Sequence, residues 1–281
     1  MRNIKRVLAA VLAMVMMSTC FSFAAAGDRY IAIGADLTDS QKETVLKLLG
    51  VSDLDSYNVF YVTNQDEHKY LDGHVSAAAI GTKALSSVLI EENSGSSINV
   101  SIYNINYCTE GMYTNALATA GVKGADVVVA GPYEISGTAA LVGTIKLYEK
   151  MTGEAVSDEV IEGSVEELTT TGDIGEEIGN KEAVEQIVAS VKEELADNPD
   201  MSEGELVEEI RDAAEDAGIS LSEENINKIK SMLQKLQSLD IDWSNVKKQS
   251  ESFLNNIGSI VNTDKAKGFF SKIAEWIRSF F

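Results

Sequence analysis

Apolar residues alternate with polar ones in short runs through the first half of the chain and recur every three or four positions through much of the second. This spacing predicts a strand at 30–33. A helix over 38–49 should follow, opened by the capping box Thr38-Asp39-Ser40-Gln41 and closed by Gly50. A second strand is expected at 57–62, then a short helix opened by Asn64-Gln65-Asp66-Glu67 that stops near Gly73. The runs 82–90 and 98–105 flank Asn93-Ser94-Gly95-Ser96 and read as a hairpin. In the second run Ile98, Val100 and Ile102 alternate with Asn99, Ser101 and Tyr103, which predicts one buried and one wet face. Thr109 should open a helix that ends at Gly121, Val127-Val128-Val129 a buried strand, and Ser136 or Gly137 a helix running to Lys150. The order βαβαββαβα implies a mixed sheet covered by helices over residues 27–153.

Beyond residue 152 the pattern changes. Residues 163–180 hold four glycines, three consecutive threonines and a run of acids without a clear apolar period, so 154–180 reads as an acidic linker or loosely packed edge. Three amphipathic helices are expected within 181–262. The first carries Val184, Ile187, Val188, Val191 and Leu195 and stops at Pro199. The second opens with the box Ser202-Glu203-Gly204-Glu205 and exits at Gly218, and the third opens at Ser222. None can bury its stripe alone, so they should pack as a bundle or against the sheet. The fold class is therefore α+β, a mixed sheet domain followed by a helical C-terminal region. Over 263–281 a last helix would gather Phe269, Phe270, Ile273, Ile277, Phe280 and Phe281 on one side with Trp276 at its edge, and Lys265, Lys267, Lys272 and Arg278 on the other. Such a helix docks its aromatics on the rest of the protein or on a membrane surface; docking is the expected outcome.

The first 26 of the 281 residues carry a different signal. Arg2, Lys5 and Arg6 precede an apolar run at 7–17, and Ala24-Ala25-Ala26 supplies the small side chains that signal peptidase reads, so residues 1–26 are expected to be removed on export. The apolar run is far short of the roughly 20 residues that span a bilayer. Thr19 before Cys20 is a poor fit to a lipid-modification site. Cleavage leaves Cys108 alone, with no possible internal disulfide, and burial rather than reactivity is its expected state.

The formal net charge of −21 is unevenly spread: residues 152–227 hold 24 acidic and 3 basic residues, whereas 228–281 hold 9 basic and 5 acidic. A field of that sign repels phosphate backbones and excludes nucleic acid as a partner. Cations, basic protein surfaces and cation-coated wall polymers fit it better.

Three stretches carry a family likeness. Ile80-Gly81-Thr82-Lys83-Ala84-Leu85-Ser86-Ser87, Asn115-Ala116-Leu117-Ala118-Thr119-Ala120-Gly121-Val122 and Ser136-Gly137-Thr138-Ala139-Ala140-Leu141 resemble the YpuA-like secreted proteins of Gram-positive bacteria. The resemblance extends over nearly the whole mature chain, including its aromatic end. It implies export and an envelope setting. The shared region is a domain of unknown function, so it supplies no catalytic residues.

Candidate chemistry is sparse. Residues 131–138 should leave the C-terminal end of a buried strand and enter a helix, where Ser136, Gly137 and Thr138 would present hydroxyls and backbone N–H groups to a ligand or simply start the helix. Glu134 stands where a hydrolase elbow needs its first glycine. His68 and His74 are the only histidines, six apart, which is not helical metal-ligand spacing, and they read as surface residues. Ser244-Asn245-Val246-Lys247 matches a Ser-x-x-Lys pattern by letters alone, because no Lys-Thr-Gly follows it. Asp53-Leu54-Asp55-Ser56-Tyr57-Asn58 lacks the glycine and glutamate of a calcium loop, and no nucleotide-binding glycine motif occurs, so no metal or cofactor is expected. The chain reads as a non-catalytic binding or structural component of the cell envelope whose partner is an envelope component or protein. An envelope hydrolase using 131–138 and a cation-responsive surface protein are the alternatives.

Overall fold

The computed structural model describes residues 29–75 and 80–261. The expected helix at 263–281, with Phe269, Phe270, Ile273, Trp276, Ile277, Phe280 and Phe281, lies outside them, as does the export segment.

Five strands form one mixed sheet: β1 (Tyr30–Gly34), β2 (Asn58–Val62), β3 (Ser87–Glu92), β4 (Asn99–Ile105) and β5 (Ala125–Ile135), in the spatial order β2-β1-β3-β5-β4. The β1/β2 and β4/β5 pairs are parallel, and β3 runs antiparallel to both β1 and β5. Four strands therefore end at the same edge of the sheet. On one face α1 (Asp39–Leu48) packs Val45 and Leu49 against Ile31, Ile33, Leu89 and Ala130. The other face is covered by α2 (Asn64–Leu71), α3 (Glu110–Thr119) and α4 (Thr138–Thr152), through residues such as Leu71, Leu117, Leu141 and Ile145. Up to Thr152 the element order matches the sequence pattern, and the Thr38/Gln41 capping box forms at the start of α1.

The expected hairpin does not form. β5 lies between β3 and β4, and the 93–97 turn closes around the start of β5 instead of pairing its own strands: Asn93 N–H donates to the Gly124 carbonyl (2.8 Å) and Gly124 N–H to the Ser96 carbonyl (3.3 Å). β5 carries the apolar run Val127-Val128-Val129, and its place between β3 and β4 covers that run along both strand edges.

The expected linker is also absent. Residues 158–178 form a 21-residue helix, α5 (Asp158–Ile178), capped by Ser157 and buried along one side. Its glycines permit close approach: a Cβ on Gly163 would stand 2.7 Å from Leu239 Cδ1, and one on Gly172 would stand 2.5 Å from the Tyr107 hydroxyl. Thr169 and Thr171 return their hydroxyls to the carbonyls of Val165 and Glu167, which lets polar residues line a buried face. Small and self-satisfied residues thus share the packing of this helix with the apolar side chains Ile161, Val165 and Leu168.

α5 joins two cores. Ile161, Val165 and Leu168 complete the sheet core, whereas Ile174 belongs to the helical core built from α6 (Lys181–Asp197), α7 (Glu203–Asp216) and α8 (Glu223–Gln237). A fourth helix, α9 (Trp243–Val261), which the sequence pattern does not predict, returns to the sheet domain. It buries Asn245, Gln249 and Ser250, and Gln249 accepts the Ile98 N–H (3.0 Å) while donating to the Ser96 carbonyl (2.6 Å). The Ser244/Lys247 pattern falls here, with Lys247 paired to Asp197.

Candidate functional site

At the edge where β4 and β5 both end, a cleft of about 330 Å³ opens between the sheet domain and α5. The position follows a general rule for sheets with parallel strands, since the loops after the strand ends are free to diverge and leave a crevice. Ser136 and Thr138 form one wall, Tyr107 from the β4–α3 connection another, Thr169, Asp173 and Glu176 of α5 a third, and His74 and Val75 after α2 complete the lining.

Polar contacts fix these walls. Tyr107 donates its hydroxyl to Asp173 Oδ1 (2.6 Å) and to the Thr169 carbonyl (3.1 Å), and burial together with that carboxylate holds the phenol in its protonated form. Lys181 bonds the Tyr107 carbonyl (2.7 Å) and Glu176 Oε1 (3.0 Å), and its ammonium lies 4.5 Å from the Tyr107 ring centroid. Behind the cleft, Tyr113 donates to the Gly137 carbonyl (2.5 Å) and Cys108 N–H to the Ser136 carbonyl (3.1 Å). Cys108 is buried, and burial pushes its thiol up to about 12, so it is no nucleophile at neutral pH.

The structure corrects the reading of residues 131–138. β5 continues to Ile135, leaving only Ser136 and Gly137 as a connection. Gly137, at φ 87°, is the N-cap of α4, without a side-chain capping bond. A Cβ there would meet Ile105 Cγ2 at 2.6 Å and the Tyr113 hydroxyl at 2.7 Å, which explains glycine at this position. Ser136 is no cap; its hydroxyl lies 3.4 Å from that of Thr138. Ser136→Ala should accordingly change stability by less than about 0.5 kcal/mol, a value that urea unfolding can read.

His74 lines the cleft, whereas His68 sits outside it with Nδ1 2.7 Å from Asp72 Oδ1, a contact that raises its pKa. Among the described residues no group of three or more His, Cys, Asp and Glu side chains has a metal-binding arrangement. Sequence reasoning missed Tyr107, Thr169, Asp173 and Glu176. The last three stand at i, i+4 and i+7, one face of a helix, and become visible once 163–180 is read as helical.

The family described as a protein of unknown function, DUF1002, matches residues 33–253. This chain belongs to the DUF1002 family. The matched span contains every residue that lines the cleft. The uncharacterized protein YpuA of Bacillus subtilis (strain 168) is 39% identical over 274 residues, covering 96% of this DUF1002 chain and 93% of that relative. No solved structure matches.

Proposed function

We infer that the chain is an exported, non-catalytic binding protein of the cell envelope, and that the cleft between β5 and α5 holds a small hydroxylated ligand. The carrying observation is the lining itself: three hydroxyl side chains, a phenol, an imidazole and two carboxylates converge on one concavity of ligand size. Each carboxylate spends one acceptor position within the protein and has others for a ligand. Carboxylates in the wall favour a neutral or cationic ligand over an anion. Export is supported by the basic, apolar and small-residue succession at 1–26. No helix among the described residues is long and apolar enough to cross a membrane.

The test is a titration with N-acetylglucosamine followed by backbone NMR of the full mature chain. Shifts should cluster at Tyr107, Ser136, Thr138 and Asp173, and Asp173→Ala should weaken binding about tenfold, the effect of losing a hydrogen bond to a charged group. Shifts scattered over the surface would sink this reading. A hydrolase reading draws on one observation, that His74 and Ser136 line the same cleft. It requires sugar release from an envelope polymer that Ser136→Ala abolishes without loss of fold.

A further inference from the structure

α9 shows where residues 262–281 continue. Asn245 donates to the Ala118 carbonyl (3.4 Å) and the Val122 carbonyl (3.0 Å) at the end of α3, and Lys247 pairs with Asp197 at the end of α6. Phe253 lies by the start of both helices: a Cβ on Gly111 of α3 would stand 2.9 Å from Phe253 Cε2 and against the Glu185 carboxylate of α6. α9 therefore runs antiparallel to α3 and α6. It rises about 12 Å from Phe253 to Val261, whereas Glu185 is only about 6 Å from Lys181, where α6 begins. Residues 262–281 thus leave α9 beyond the start of α6.

The same end of the bundle holds a groove. α5 ends and α8 begins there, tied by the Asn225 amide to Glu177 Oε1 (3.1 Å), and α7 ends where α8 begins. Between α7 and α8 about 510 Å³ opens over a floor of Ala214, Gly218, Ile219, Leu221 and Ile226. Ile219 and Leu221 are only half-buried, at the fringe of the helical core. The turn that presents them is fixed, because Gly218 N–H donates to the Glu215 carbonyl (2.9 Å) and Ile219 N–H to the Ala214 carbonyl (3.0 Å). At the rim Arg211 reaches both carboxylate oxygens of Glu223 (2.7 and 2.8 Å), which neutralises the one base there. Asp212, Glu215 and Asp216 are exposed and without an ion pair among the described residues. Residues 203–224 hold nine acids and one base.

An apolar floor inside an acidic rim matches an aromatic segment that carries cations. Residues 265–281 are of that kind: Lys265, Lys267, Lys272 and Arg278 stand against Glu275 alone, and Phe269-Phe270 comes first among the large apolar side chains. The reach also fits. α9 packs on α6 and α6 on α7, so two helix spacings, about 16–20 Å, separate α9 from α7. Residues 262–268 span up to about 25 Å when extended. The cleft beside Tyr107 is a poorer seat for phenyl rings, since hydroxyls, an imidazole and carboxylates line it.

We propose that residues 262–281 fold back across the end of the bundle and seat Phe269 and Phe270 in the groove between α7 and α8, with their lysines and arginine against its acidic rim. This is independent of what the cleft binds. The experiment places a spin label on Asn227→Cys in the full mature chain and reads the backbone amide signals of 262–281 by NMR. Asn227 is exposed on α8 next to Ile226 and outside the groove lining, and the buried, protonated Cys108 stays unlabelled. The label should broaden the signals around Phe269 and Phe270. Combining Phe269→Ala with Phe270→Ala should restore them, and Glu215→Lys, an exposed change, should weaken the broadening at an unchanged melting temperature. Signals untouched by the label, or broadening that survives loss of both phenyl rings, overturn the proposal. Broadening indifferent to Glu215→Lys overturns the part assigned to the rim. Broadening that persists when label and isotope sit on separate, mixed molecules puts the segment on a second copy and overturns the folding back. A segment silent to the label and broadened by phosphatidylglycerol vesicles is a membrane contact, which overturns it as well.

Discussion

Lys192→Met should lower the unfolding free energy by about 3–5 kcal/mol, the cost of leaving a buried partner charge uncompensated. At about 2–4 °C per kcal/mol for a chain of this size, the melting temperature should fall by roughly 10 °C. Lys192 and Glu167 are wholly buried, and all three ammonium hydrogens have acceptors: the Asn115 carbonyl (2.8 Å), Thr119 Oγ1 (2.8 Å) and Glu167 Oε1 (2.6 Å). Thr119 donates in turn to Glu167 Oε2, so the network is saturated. Burial pulls the lysine below its ordinary range while the carboxylate pulls it back up. The network ties α3, α5 and α6 together where the two cores meet. The double variant Lys192→Met with Glu167→Leu removes both charges and should be less destabilised than the sum of the single changes. A loss below about 1 kcal/mol for Lys192→Met would mean that the pair contributes nothing to holding the cores together.

A second large effect concerns pH. Burial raises the carboxyl groups of Glu185 and Glu67 from 4.5 to about 7. At Glu185 the Thr109 hydroxyl and Lys181 oppose this, and Glu182 and Glu110 reinforce it; at Glu67 Asn64 and His68 oppose, and Asp36 and Asp66 reinforce. Because the folded value lies above the unfolded one, each group's contribution is fully present below pH 4.5 and is lost as pH rises through 7. Each accounts for about 3 kcal/mol when the whole interval is crossed. Urea unfolding should therefore show a less stable protein at pH 8 than at pH 5. Glu185→Gln, which keeps an oxygen for Thr109, should exceed wild type by about 2–3 kcal/mol at pH 8 and match it near pH 4.5. Asp158, Asp242, Glu203, Glu205 and Glu224 are shifted downward by their partners, so their contributions vanish only on acidification below the ordinary carboxylate range. A stability profile that is flat between pH 5 and pH 8 would refute the assignment.

What could be read from the sequence divides along a physical line. Elements that bury apolar side chains announce themselves: the alternation at Val100 and Ile102, the capping boxes at Thr38 and Ser202, and the stripe from Val184 to Leu195 all lie where the pattern puts them. Elements that bury polar side chains do not. α9 turns Asn245, Gln249 and Ser250 inward beside Val246, and from Thr169 to Gly175 α5 packs through glycines and through threonines bonded to their own helix, which interrupts the apolar period that Ile161, Val165 and Leu168 begin. The hairpin failed for a different reason. Asn93-Ser94-Gly95-Ser96 does turn, but a local turn does not determine which strand fills the gap it leaves, and Gly124 and β5 fill it from a distance. The candidate site followed the same division: Ser136 and Thr138 were visible as a strand-to-helix junction, while the opposing wall lay on the helix that the pattern hid.

The bonds from Gln249 to Ile98 and Ser96 bridge 151 and 153 positions along the chain. A ribosome delivers the chain N-terminus first, so the start of β4 stays uncovered until α9 has emerged. Until then β5 is in place but the corner of the sheet beside it is open, and the molecule can still be unthreaded without breaking its final contacts. Closure of this corner by α9 is possible only for chains that extend past Gln249. Fragments that end before residue 243 would carry an open sheet corner and invite both proteases and mispairing with other chains.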